Sequence, residues 1–95
     1  MGNQVSDVLK MANRGCPDSM FNLALQLESQ GKYREAFRWY ENAMQLGNIS
    51  ARFNIGKMYA SGVGASQDIR RAVELFQSAA KQGHVGARKM MRGGR

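Results

Sequence analysis

Ala51-Arg52-Phe53-Asn54-Ile55-Gly56-Lys57-Met58-Tyr59, then Ala60-Ser61-Gly62-Val63-Gly64-Ala65-Ser66-Gln67-Asp68, then Ile69 through Gly83, is the stretch whose reading decides the fold. Taken alone it reads as a helix, a glycine loop and a second helix. Laid over the rest of the chain, most of it occurs twice and its two ends occur a third time, so the chain is built of repeats. Gly15, Gly47 and Gly83 correspond. Before each stands the same apolar spacing: Val5, Val8, Met11, Ala12, then Phe37, Tyr40, Ala43, Met44, then Val73, Phe76, Ala79, Ala80. That i, i+3, i+6, i+7 pattern is one face of an α-helix. After each glycine a second helix begins, with Ser19, Ala51 and Ala87 in equivalent places and Phe21-Asn22-Leu23-Ala24 repeated as Phe53-Asn54-Ile55-Gly56.

These residues resemble a known family. Ala51, Ile55-Gly56, Tyr59, Gly62-Val63-Gly64, Asp68, Ala72, Phe76, Ala79-Ala80, Gln82-Gly83-His84 and Ala87 are similar to the Sel1-like repeat pattern. The preceding unit is shorter and lacks the loop glycine pair. Its Gly31-Lys32-Tyr33, Ala36, Tyr40 and Ala43-Met44 look closer to the related tetratricopeptide repeat. The resemblance implies an all-α fold, a short right-handed α/α solenoid of about two helical hairpins, and relatives that are mostly adaptors for other proteins.

In chain order the reading is a half-unit over 3–15, unit one over 17–47, unit two over 49–83, a partial unit over 85–92 and a basic tail over 93–95. Helices are expected at 17–30, 33–46, 49–60, 66–82 and 85–92, with Asn3 to Arg14 forming an amino-terminal cap. Tyr33, Ala36, Phe37, Tyr40, Ala43 and Met44 should face inward, as should Ile69, Ala72, Val73, Phe76, Ala79 and Ala80. Small alanines beside large rings suit close helix contact. Gly56, mid-helix at a cost of about 1 kcal/mol against alanine, points to a tight crossing. Asn48 is placed to cap a helix, Asp68 to lie in a first turn near the positive dipole end, and Trp39 to sit at a flank or act as a binding hot spot. His84 reads as a turn or cap residue. Met90-Met91 would either fold back on Phe76 and Ala80 as a cap or serve as an adhesive end for self-assembly.

Ninety-five residues allow one modest core. No apolar run is long enough for a membrane span. The lone Cys16 and the lack of a visible export signal make cytoplasmic residence the expectation. Nucleophilic, metal or acid/base chemistry needs convergent groups. One His, one Cys and seven scattered acids do not supply them, so no enzyme and no cofactor is expected.

Charge is uneven. Up to residue 51 five bases cancel five acids, whereas from Arg52 onward nine bases face two acids and carry the whole net charge of +7. Such a field steers acidic partners or nucleic acid toward the carboxyl half. In the families resembled, the first helix of each pair lines a concave face. That carries Asn22, Gln26, Arg52, Asn54, Lys57 and Arg88 into a candidate partner-binding set, with asparagine able to donate and accept along a peptide backbone. The leading expectation is an adaptor or inhibitor that binds an acidic surface of a larger protein, as a monomer or weak homo-oligomer. A basic nucleic-acid-associated module is the alternative.

Overall fold

At Gly47-Asn48 the chain shows how its sequence sets helix boundaries. Gly47 takes φ +97°, which ends one helix, and the Asn48 side chain accepts the Ala51 N–H at 2.8 Å, which starts the next. The turn at Gly83-His84 repeats this device with an imidazole: His84 Nδ1 accepts the Ala87 N–H at 3.0 Å. In the computed structural model, residues 15–93 are described. They form five helices and no strand: α1 (Pro17–Ser29), α2 (Tyr33–Gln45), α3 (Ile49–Ser61), α4 (Ile69–Lys81) and α5 (Val85–Gly93). Each packs on its neighbour in sequence, α1 on α2, α2 on α3, α3 on α4 and α4 on α5. The result is an elongated stack of 46 × 24 × 20 Å. The amino-terminal half-unit at 3–14 and tail residues 94 and 95 lie outside the described residues.

One contact is made twice. The Phe21 ring of α1 meets Tyr40 of α2 at 5.6 Å and 53°, and Phe53 of α3 meets Phe76 of α4 at 5.5 Å and 51°. Counted from Gly15 and Gly47, Phe21 and Phe53 hold the same position, and so do Ala24 and Gly56. Gly56 must be this small, since a Cβ there would lie 2.7 Å from Phe76 Cε1. The large ring of the second helix thus enters a gap left by a small residue on the first, as expected for closely crossing helices. Around it, Met20, Leu23, Ala24, Ala36, Tyr40, Ala43, Ala51, Ile55 and Met58 form one buried cluster. Because Ala51, Ile55 and Met58 belong to α3, the core of the first pair continues into the second. Trp39 is half-buried against this cluster, the flank position.

Some boundaries and faces differ from the sequence reading. α4 begins at Ile69 rather than 66, because Asp68 is its N-cap and not a first-turn residue: its carboxylate accepts the Arg71 N–H at 3.1 Å. α5 extends to Gly93, so that residue belongs to the helix and not to the tail. Tyr33, Ile69 and Val73, read as inward, are 42%, 55% and 39% exposed. Tyr33 and Ile69 are the first residues of their helices and overhang the contact. Val73 stands where Phe37 stands in α2. Phe37 finds the Tyr59 ring at 5.4 Å in the last turn of α3, whereas the described residues of α5 include no ring for Val73 to meet. The Met90-Met91 pair does not fold fully back, and both residues remain about 40% exposed.

Gly56→Ala gains helix propensity but forces the Phe76 ring to move, and a net loss of about 1–2 kcal/mol is expected in urea unfolding. Combined with Phe76→Leu, which makes room, the two losses should fall short of additivity by about 0.5 kcal/mol or more.

Candidate partner-binding surface

The six candidate residues all lie on α1, α3 and α5, the first helices of successive pairs, but the structure does not place them on one surface. Asn22 on α1, Lys57 on α3 and Arg88 on α5 are exposed. Gln26 and Arg52 are half-buried, and Gln26 Oε1 and Arg52 Nε are buried without a hydrogen-bond partner. The reason is their register. Gln26 stands where α3 carries the buried Met58, and Arg52 stands where α1 carries the buried Met20, so both side chains turn toward the interior. Arg88 shares the register of Arg52 rather than that of Asn54 or Lys57.

What remains is a repeated stripe. Asn22 and Leu25 on α1 hold the positions of Asn54 and Lys57 on α3, each pair spaced i, i+3 and therefore on one helix face. Phe21 and Phe53 flank it. Leu25, 42% exposed, was not among the sequence candidates, and its equivalence with Lys57 is the signal that reveals it. The Lys57 Nζ lies 5.3 Å from the Phe53 ring centroid, a cation–π contact, and His84 stacks on the same ring at 4.4 Å and 24°. The stripe therefore pairs an apolar element on α1 with a cationic, ring-backed element on α3. Near the start of these helices, Asn48 Nδ2 donates to Asp18 Oδ1 at 3.3 Å, which ties α3 to α1.

The Tyr40 side chain is fully buried, and its hydroxyl donates to Glu28 Oε1 at 2.7 Å, which ties α2 to α1. Burial first, and then the Glu28 hydrogen bond, hold the Tyr40 proton well above the usual phenol range, with Asn54 opposing the shift.

A cavity of about 560 Å³ opens elsewhere, between Gly31, Lys32, Tyr33, Arg34 and Glu35 and the loop residues Gly62, Gly64, Ala65 and Ser66. Gly64, at φ +82°, brings that loop against α2 so closely that a Cβ would sit 2.7 Å from the Tyr33 carbonyl oxygen. None of the six candidates lines it. Among the described residues no group of three or more His, Cys, Asp or Glu could hold a metal, and no helix is long and apolar enough to cross a membrane.

The Sel1 repeat family model matches residues 17–48 and 49–84, the two helix pairs with their turns. A Sel1 repeat protein from Oxalobacter formigenes superposes with a TM-score of 0.83 at 29% identity, over 90% of this chain and 68% of that one. A protective antigen present in uropathogenic Escherichia coli strains, with an SLR fold, superposes at 0.82 and 27% identity, over 94% of this chain and 21% of that one. An exopolysaccharide production negative regulator of Rhizobium leguminosarum bv. viciae is 30% identical over 67 residues. That match takes in 70% of this chain, which spans a quarter of the relative's length, 25%.

The Tyr40 environment sets a pH dependence. A proton held more tightly in the folded than in the unfolded state stabilises the fold below about pH 10, and that stabilisation is lost as pH rises beyond it. Tyr40→Phe should cost about 1 kcal/mol at neutral pH. The gap between wild type and variant in denaturant unfolding should narrow between about pH 9 and about pH 11.

Proposed function

This chain belongs to the Sel1 repeat family, and on that premise we propose that it is a non-catalytic protein-interaction module whose contact surface is the stripe Asn22, Leu25, Asn54 and Lys57. Sel1 repeats serve protein–protein interaction, and the observation that carries the reading here is the recurrence of one i, i+3 pair on α1 and α3, in which Asn22, Leu25 and Lys57 are exposed and Asn54 is half-buried. Two asparagines in register, spaced by the repeat, suit the backbone of an extended or helical segment laid across the first helices. Leu25 supplies an apolar anchor and Lys57 a charge for an acidic residue of the partner. The net charge of +7 favours an acidic partner surface and speeds encounter with it.

An adaptor and an inhibitor use such a surface alike, by occupying it. The similarity to a negative regulator of exopolysaccharide production supports a regulatory use, in which the module covers a surface of a larger protein. A single cysteine and a fold without disulfides suit a cytoplasmic setting.

The test is capture from the native lysate at moderate salt, with and without nuclease, read by mass spectrometry. Wild type should retain one discrete protein after nuclease treatment, and Leu25→Glu with Lys57→Glu should lose it while keeping wild-type helicity. A nuclease-sensitive spread of proteins, or capture indifferent to both substitutions, contradicts the proposal.

A further inference from the structure

In α3, α4 and α5 a side chain closes the first turn, but the three closures differ in chemistry. Asn48 Oδ1 accepts the Ala51 N–H at 2.8 Å, Asp68 Oδ1 accepts the Arg71 N–H at 3.1 Å, and His84 Nδ1 accepts the Ala87 N–H at 3.0 Å. The two oxygen acceptors keep their lone pairs throughout the range around neutrality. The third is a ring nitrogen of the chain's single histidine, and histidine is the side chain whose charge changes between about pH 5 and 8. A neutral imidazole with its proton on Nε2 accepts at Nδ1. An imidazolium carries a proton on both nitrogens and accepts nothing.

We infer that His84 is a pH-sensitive cap, whose protonation uncaps α5 while α3 and α4 keep their caps. In the protonated ring the Nδ1–H would meet the Ala87 N–H, donor against donor at 3.0 Å, so the ring turns away or the first turn of α5 opens. The ring is closely held: it stacks on Phe53 at 4.4 Å and 24°, and a Cβ on Gly86 would lie 3.0 Å from its Cε1. Its surroundings bring cations rather than an acid. From α3, Lys57 Nζ lies 5.3 Å from the centroid of the same Phe53 ring. Counted from the turn glycines, Ser50 holds the position of Asp18, the acid that accepts from Asn48 Nδ2 one unit earlier, so the equivalent acid is missing beside His84. Along the chain the nearest charges are Lys81 on α4 and Arg88 on α5, while the acids of α4, Asp68 and Glu74, stand at its start and middle, away from this turn. The carboxyl end of α4 and the face of Phe53 both tolerate a cation. Neither returns an acceptor to the Ala87 N–H, so the cap is lost whichever way the charged ring settles.

The experiment follows the full chain by NMR from about pH 7.5 to about pH 5. At the upper end the imidazole nitrogen shifts should show Nε2 protonated and Nδ1 bare. On acidification the exchange protection of Ala87 and of the amides that follow it in α5, corrected for intrinsic rates, should fall about fivefold or more, the loss expected when a helix cap is removed. Ala51, capped by Asn48, is the control in the same molecule and should keep its protection. His84→Asn gives α5 the cap that α3 already has and should make its protection insensitive to pH over this range, a gain at pH 5 that misfolding cannot mimic. Three results overturn the inference: a proton on Nδ1 at pH 7.5, protection of α5 that wild type retains at pH 5, or an equal loss in His84→Asn, which would trace the effect to other groups. Leu25 and Lys57 are untouched by this variant, so failure here leaves the stripe to be judged by its own test.

Discussion

A large ring from the second helix of each pair, seated over a small residue of the first, is the contact on which the rest of this structure depends. It is seen as Phe76 with Phe53 and Gly56, and Tyr40 meets Phe21 in the same way, with Ala24 holding the register of Gly56. Each ring removes apolar area worth about 1.5–3 kcal/mol from water, and the tilted ring pair adds about 0.5–1.5 kcal/mol. The larger effect is geometric. The small residue fixes how closely the helices cross, and the crossing fixes which residues of α1 and α3 are left outward. Asn22 and Asn54, and likewise Leu25 and Lys57, hold matching positions because the same ring contact recurs in each pair.

The two pairs are also joined to each other. Phe37 of α2 meets Tyr59 of α3 edge to face, and the cluster around Tyr40 takes in Ala51, Ile55 and Met58. At the other end of the described stack the pattern weakens. α5 is held by the buried Ala87, by the His84 cap and by the stacking of His84 on Phe53, with no large ring of its own. Stability in a repeat array is roughly a sum of units and interfaces. The last helix therefore draws on one interface where α3 draws on two, and the basic charge concentrates where packing is thinnest.

Much of this was legible from the residues. The corresponding glycines gave the turns, Asn48 its cap, the apolar spacing most of the inward face of α2, and Gly56 the tight crossing. Periodicity assigns a face to a helix without saying what the neighbouring helix offers it. Val73 was read as inward by the repeated apolar spacing, yet it is 39% exposed, because the described residues of α5 carry no ring to match the Tyr59 that Phe37 meets. Arg52 and Gln26 were read as groove residues because they are polar, yet their registers belong to Met20 and Met58. Leu25 was passed over because it is apolar, although it holds the register of Lys57. Asp68 erred by a single step, since an N-cap and a first-turn acid look alike until the carboxylate is seen to accept the Arg71 N–H.

Native-state amide hydrogen exchange tests the central claim most directly, because it reads the stability of each helix separately. If the ring-over-small-residue contacts and the shared cluster unite the two pairs, the slowest amides of α1, α2, α3 and α4 will exchange with one common opening free energy, and those of α5 with a lower one. If α1 and α2 instead open independently of α3 and α4, or α5 is as protected as α3, the two contacts do not organise the stack and this account of its surfaces fails.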